Sequence, residues 1–290
     1  MGTLERNFRR GARVVRMDIR TTYTRHQSRY HAEAYQPNQR TLWGVFDGNP
    51  ETTHLLYVFS GPGRLAGTTL LMHDRRATDE PDAMWLYLRA FDIFRKLDAD
   101  ARRVMVPGTA LSYEDSRGFI PVDKYRFSSI GPVTQDAAWI LGCPRSAEIR
   151  ESLGYGSLRV RVDPEKELVL AVEYADIRGQ PMKTYTLVRE TRQADRFFPA
   201  QVRLDHQADG LMTEIDYEYW LPEQPPPASL FEASNEPVRF IDRLEAYMKQ
   251  IGQGPRIRAE LEEADARVEV FLEKLRRIQE AERQGKPYRE

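Results

Sequence analysis

The residues best suited to chemistry stand four in a row, Ser112-Tyr113-Glu114-Asp115. Two carboxylates beside a hydroxyl could form a general acid–base pair. Adjacent residues on an extended chain point to opposite faces, however, so these two cannot easily share one substrate. Glu114 and Asp115 read better as a loop anchor that accepts hydrogen bonds from backbone or arginine. An enzyme, a hydrolase built on Glu114, Asp115 and His73, is the minor alternative.

The other candidates carry less. The five histidines, His26, His31, His54, His73 and His206, show none of the i,i+4 or His-x-His spacings that metal sites favour. They read as scattered surface residues. One cysteine, Cys143, excludes an intramolecular disulfide and a cysteine-based zinc site. It reads as a small half-buried hydrophobe near a strand end. Ile140-Leu141-Gly142-Cys143 looks like a bacterial lipidation box, but it lies mid-chain rather than after an N-terminal signal. Gly154-Tyr155-Gly156-Ser157 lacks the last glycine of a nucleophile elbow. Gly61-Pro62-Gly63 lacks the lysine and serine of a phosphate loop. The reading therefore assigns no catalytic residue, no metal and no cofactor.

The elements that would position these residues are strands. Val15, Met17 and Ile19 alternate with Arg16, Asp18 and Arg20, the period of a strand with one wet face. Further strands are expected at 29–35, 40–46, 54–59, 68–72, 84–88 and 94–97. In the second half they are expected at 138–141, 158–162, 168–174, 184–190, 200–205 and 211–220. Pro37-Asn38, Asp47-Gly48-Asn49-Pro50, Asp163-Pro164, Arg178-Gly179 and Asp209-Gly210 punctuate them. Such spacing predicts an antiparallel meander of about ten strands. The aromatics Trp43, Phe46, Tyr57, Phe59, Trp85, Tyr87, Trp139 and Trp220 sit in or beside these strands. With few helices to cover so large a sheet, an apolar face is left for a ligand.

After Leu221 the chain changes character. Pro222 to Pro227 is a stiff, proline-rich connector. Beyond it Phe240, Ile241, Leu244, Met248 and Ile251 recur at helix spacing. Leu261, Ala264, Val268, Phe271, Leu275 and Ile278 then trace a second seam. That seam is expected to pack on the preceding helix as a hairpin, or on the sheet. The expected domains are 1–232, the sheet, and 233–290, a helical extension. The first ten residues could form a short basic helical turn.

Composition bounds the partners. With 43 basic and 44 acidic residues the net charge is −1, so nothing predicts nucleic acid or a polybasic membrane grip. No apolar run approaches the roughly 18 to 20 residues of a membrane span. The N-terminal residues lack the apolar region of a secretory signal. Either the protein stays in the cytoplasm or the chain begins after a removed leader.

One ordered set of motifs resembles a known family. Gly67-Thr68, Trp85-Leu86-Tyr87-Leu88, Arg95-Lys96-Leu97, Gly108-Thr109 and Ser112-Tyr113-Glu114-Asp115 follow each other as in the outer-membrane lipoprotein-sorting, LolA-like proteins. Glu173 to Asp176, Gly179 with Lys183, Phe198-Pro199 and Ala228 to Phe231 extend the likeness over roughly residues 14 to 232. Arg89 departs from it, standing where proline is usual. Gly118–Ser129 fits poorly, and helices after Phe231 are not a general feature of the family.

The resemblance implies a fold that is mainly β with some α, a large antiparallel half-open barrel, here followed by a C-terminal helical hairpin. It implies a non-enzymatic periplasmic carrier whose apolar concave face holds a lipid or acylated protein, with an inner-membrane exporter as a possible partner. Ligand-binding candidates are Trp85, Tyr87, Leu86, Leu88, Phe59, Tyr57, Trp43 and Leu70. On their strand Trp85 and Tyr87 face one way, Leu86 and Leu88 the other, and either pair could face the cargo. Gly67, Thr68, Tyr113, Glu114 and Asp115 are structural motif residues. Lipid is expected to change the tryptophan fluorescence. The competing reading is a cell-envelope interaction module that works through its C-terminal helices.

Overall fold

Thirteen strands form one antiparallel sheet in the computed structural model. The model describes residues 12–23, 38–48, 52–61, 65–75, 82–106, 109–117, 120–131, 138–233, 238–253 and 256–266. The first six strands are β1 (Arg13–Tyr23), β2 (Asn38–Gly48), β3 (Thr52–Gly61), β4 (Thr69–Arg75), β5 (Ala83–Leu88) and β6 (Ile93–Lys96). The other seven are β7 (Tyr125–Ser129), β8 (Ala138–Pro144), β9 (Ser157–Asp163), β10 (Leu168–Ala175), β11 (Pro181–Gln193), β12 (Arg196–His206) and β13 (Leu211–Trp220).

Their spatial order is β6-β5-β4-β3-β2-β1-β13-β12-β11-β10-β9-β8-β7. Two meanders are thus joined by the pairing of β1 with β13, where Val14 lies opposite Trp220 and Thr21 opposite Thr213. The sheet curls but does not close, so β6 and β7 are its free edges. Because β6 and β7 are consecutive in sequence, the chain between them must run from one edge to the other. That topology brings the Ser112–Asp115 stretch to the open side.

Period-two alternation separates the faces. One face gathers Val15, Met17, Ile19, Leu42, Tyr57, Phe59, Leu70, Val202, Leu204 and Ile215 into the concave core. The opposite face of β1–β4 gathers Val14, Trp43, Val45, Leu56, Val58 and Leu71. A third cluster, around Leu158, Val160, Val162 and Val172, fills the second meander.

Gly44 shows how tightly the concave side is built. A Cβ there would lie 2.7 Å from the Tyr57 ring, so the ring occupies the space a side chain would need. Gly44→Val is expected to destabilise the fold by about 1–3 kcal/mol. Urea unfolding checks this, and an unchanged midpoint would mean that Tyr57 yields freely.

Among the described residues four α-helices accompany the sheet: α1 (Ala99–Arg103), α2 (Ala147–Leu153), α3 (Val238–Gln250) and α4 (256–266). Asp98 caps α1 by accepting the Ala101 N–H at 2.7 Å. Ser146 caps α2, and Gly154 ends it in the left-handed conformation at φ 75°. Phe240, Leu244, Tyr247 and Met248 of α3, with Ile257, Leu261 and Ala264 of α4, join the convex cluster. The described part of the C-terminal seam therefore packs on both the sheet and the preceding helix. Val268, Phe271, Leu275 and Ile278 lie outside the described residues, as do the N-terminal turn and the 29–35 strand.

Glu260 docks α4 on the sheet. It accepts hydrogen bonds from Trp43 Nε1 at 2.8 Å, Arg16 Nε at 3.2 Å and Ser60 Oγ.

The histidines depart from the sequence expectation. His54 and His73 are not scattered surface residues but cross-strand partners, with ring centroids 4.8 Å apart. Sequence spacing could not reveal a pairing set by strand register. His73 Nε2–H donates to the Phe231 carbonyl at 2.7 Å, and the His54 ring stacks on Phe231. Burial pulls both imidazoles below their ordinary 6.5, with the nearby Arg75 acting in the same direction. A lowered imidazole contributes stability that is fully present above pH 6.5 and is lost as pH falls through the folded value. The wild-type melting temperature should therefore drop more between about pH 7.5 and about pH 5 than that of a His54→Phe/His73→Phe variant. Equal drops would contradict this.

Cys143 also differs from expectation. It is exposed near the end of β8, opposite Arg126 of the edge strand β7.

Candidate functional site

The concave face encloses a cavity of about 160 Å³, counted as space for the centres of water-sized molecules. Its first-meander wall is Val15, Met17, Ile19, Leu42, Phe46, Tyr57, Phe59 and Leu70. Its second-meander wall is Leu158, Val169, Val172, Tyr174, Tyr185, Leu204, Ile215, Tyr217 and Tyr219. Alternation places these residues on one face, and curling brings the two walls together. Burial raises the phenols of Tyr57, Tyr185, Tyr217 and Tyr219 well above their ordinary 10.0, so they stay protonated.

The chain linking β6 to β7 covers one end. Val106, Ala110 and Tyr113 pack into the concave core. Val106 N–H bonds the Leu111 carbonyl at 2.7 Å, and the Ala110 N–H donates to Thr213 Oγ1 at 2.8 Å. Two buried ionic clusters hold this cover. In one, Arg117 reaches Glu114 and Asp74 at 2.5 Å each and Asp82 at 3.1 Å, while Lys124 also reaches Asp82. In the other, Asp115 accepts from the Ser112 N–H at 2.7 Å, Tyr155 Oη at 2.7 Å and Lys183 Nζ. Lys183 lies 4.7 Å from the ring centroids of both Tyr155 and Tyr174.

Burial alone would raise the Asp115 carboxyl. The Lys183 ammonium and the bonds from Lys183, Ser112 and Tyr155 outweigh it and hold Asp115 below the usual carboxylate range. Glu114 and Asp115 thus turn to separate basic partners, and both are occupied in holding the cover.

Among the described residues no group of three or more His, Cys, Asp or Glu side chains could hold a metal ion. No described helix is long and apolar enough to cross a membrane.

A family model, described as that of an uncharacterized protein, matches residues 51–235. The chain belongs to that family. Its fold is that of the LolA-like, outer-membrane lipoprotein-sorting proteins. It is similar to an outer membrane lipoprotein-sorting protein domain from Vibrio parahaemolyticus, with TM-score 0.65 and 19% identity over 77% of this chain and 89% of that one. A DUF1329 family protein from Desulfovibrio piger gives TM-score 0.65 and 18% identity over 76% of this chain and 89% of that one. A LolA superfamily protein from Nitrosomonas europaea gives 0.59 and 15% over 80% and 96%. No curated protein matches the chain in sequence.

Within the LolA-like sheet the sequence candidates divide by face. Tyr57, Phe59 and Leu70 line the cavity. Leu86 is buried in the concave core and Leu88 packs against it, away from the cavity wall. Trp43 and Trp85 belong to the convex side under the C-terminal helices. Tyr87 shares the Trp85 side of β5, and its hydroxyl donates to Asp92 at 3.3 Å. Gly67, at φ 79°, and Thr68 form the β3–β4 turn, where the Gly67 N–H bonds the Phe59 carbonyl at 2.7 Å.

Trp220 stacks on Trp43, and Trp139 lies under Arg159 on the outer face. None of the four tryptophans lines the cavity. Tryptophan fluorescence is therefore a poor reporter of an occupant, contrary to the sequence expectation. Sequence reasoning also missed the second-meander tyrosines, Arg13 and Arg117. The tyrosines alternate at Tyr217 and Tyr219, but alternation does not say which face is hollow.

Proposed function

We propose that this LolA-like protein is a non-enzymatic periplasmic carrier that holds the acyl chains of a lipid or lipidated protein. The apolar cavity on the concave face is the observation that supports the reading. Burying an acyl chain stabilises a complex by about 0.8 kcal/mol per methylene, so binding needs no catalytic group. Release then requires a tighter acceptor, and loading requires a donor such as an inner-membrane exporter. The LolA-like fold is typically non-enzymatic, and the carboxylates most suited to acid–base work are spent on Arg117 and Lys183.

The alternative, an interaction module working through the C-terminal seam, is weakened by where that seam lies. Ile257, Leu261 and Ala264 are buried against the sheet and α3. Displacement of an extrinsic, environment-sensitive acyl probe tests the carrier reading. Phospholipid or acylated peptide should displace the probe at micromolar concentration. Failure of the probe and both competitors to bind would overturn the reading.

A further inference from the structure

The polar groups of the cavity wall are of two kinds. The charged ones are engaged with protein: Glu114 with Arg117, Asp115 with Lys183, and Arg13 with the Phe46 ring at 4.1 Å among its contacts. Ser116 Oγ donates to the Ser112 carbonyl at 3.3 Å, and Tyr155 Oη donates to Asp115 at 2.7 Å. The phenols of Tyr57, Tyr185, Tyr217 and Tyr219 differ. Among the described residues none of these hydroxyls has a hydrogen-bond partner, and none is sealed inside protein, so each opens onto the cavity it lines. Strand register gathers them. Tyr57 of β3, Gly44 of β2, Val15 of β1 and Tyr219 of β13 stand side by side across the sheet. Gly44 leaves room for the Tyr57 ring, which lies over β2 with only 5% of the residue exposed. Tyr217 stacks on Tyr219 with ring centroids 5.8 Å apart. It also lies within electrostatic reach of Tyr57 and of Tyr185 on β11.

Resting on the carrier reading, we propose that Tyr57, Tyr185, Tyr217 and Tyr219 form a donor site for the carbonyl of an acyl group, an ester or an amide, so that the cavity selects acyl chains over alkyl chains. A carbonyl carried into an apolar cavity leaves its water behind, and a phenol O–H turned toward it restores the lost bond. The hydroxyl hydrogen rotates to suit its acceptor, so phenols on three strands can serve a carbonyl at more than one depth. The donors are neutral, which suits a neutral acceptor, whereas an ionised group gives up far more hydration. A saturated chain has nothing to offer the phenols, and an ether oxygen is a poorer acceptor than a carbonyl. Val15, Met17, Leu204 and Ile215, on the same wall, then contact the hydrocarbon that follows the carbonyl.

The test compares ligands of one chain length, a fatty acid methyl ester, the N-methyl fatty amide, the alkyl methyl ether and the alkane, by probe displacement on the full chain. The ester and the amide should bind at least about five-fold more tightly than the ether and the alkane. Preference for the ester alone or the amide alone still supports the inference and identifies the linkage carried. The carbonyl stretch of an isotope-labelled ester bound to the wild-type protein should lie below its frequency in alkane solvent. Tyr57→Phe and Tyr217→Phe should each shrink the ratio of ester to ether affinity, and phenylalanine at all four positions should erase both the ratio and the shift. Equal binding of ester, amide and ether to the wild-type protein, or a ratio that survives the fourfold replacement, would overturn the inference and leave the carrier reading standing. The wild-type comparison decides even if the fourfold variant does not fold. No binding by any of the ligands would overturn both.

Discussion

Replacing Arg117 by methionine should cost about 3–5 kcal/mol of stability, because it strands buried carboxylates without their cation. Arg117 is 1% exposed and bridges Asp74, Asp82 and Glu114, so it joins β4 and the β4–β5 connection to the cover. Its neighbours already strain against burial. Desolvation raises Asp74 to about 6 even with Arg117 beside it. Desolvation would raise Asp82 too, but Arg117 and Lys124 outweigh it and keep Asp82 low. Without the guanidinium the carboxylates take up protons more readily in the folded state than in the unfolded state. A raised carboxyl favours folding below its unfolded value and loses that advantage as pH rises. The deficit of Arg117→Met should therefore shrink between about pH 7 and about pH 5. Urea unfolding at both pH values measures it. A loss under about 1 kcal/mol, unchanged with pH, would show that the cover does not depend on this network.

The second large effect concerns binding. Ile215→Trp should weaken acyl-probe binding by at least about ten-fold while costing less than the roughly 1–3 kcal/mol of overpacking a filled core. Ile215 lies on the cavity wall midway along β13, opposite Ile19 and Val202. An indole there would fill the space an acyl chain needs. Ile177, in the β10–β11 turn and 43% exposed, supplies the control. Ile177→Trp adds the same ring without touching the cavity and should leave binding unchanged. Equal affinity of both variants and the wild type would place the occupant elsewhere.

Much of this architecture was legible in the sequence because most strands keep a strict alternation. β1 and β13 show it plainly, and β13 begins directly after the Asp209-Gly210 turn. β7 was not found. Tyr125 and Phe127 give it only two inward positions, and it follows Pro121 in a stretch that fitted no family motif. The facing of the first meander was also illegible. β3 is buried almost continuously from Leu55 to Ser60, since the cavity lies on one side and the helices on the other. Where both faces are covered, composition cannot distinguish them, so Trp43 and Trp85 looked as suited to a ligand as Tyr57 and Phe59.

The ionic clusters depend on contacts distant in sequence. Lys183 lies 68 positions from Asp115, and nothing local marks it as buried. Two departures from the family pattern explain each other in the structure. Arg89, standing where proline is usual, packs across Gly67 and forms a two-point pair with Asp265 of α4 at 3.1 and 2.9 Å. The unusual side chain on the sheet thus meets the unusual helix that covers it.

The most direct test of the central claim is native mass spectrometry of the purified protein, with organic extraction of whatever co-purifies. The account predicts an added mass in the range of lipids, absent from Ile215→Trp and recovered in the organic phase. A bare protein mass that stays unchanged after incubation with phospholipid and acylated peptide would contradict it.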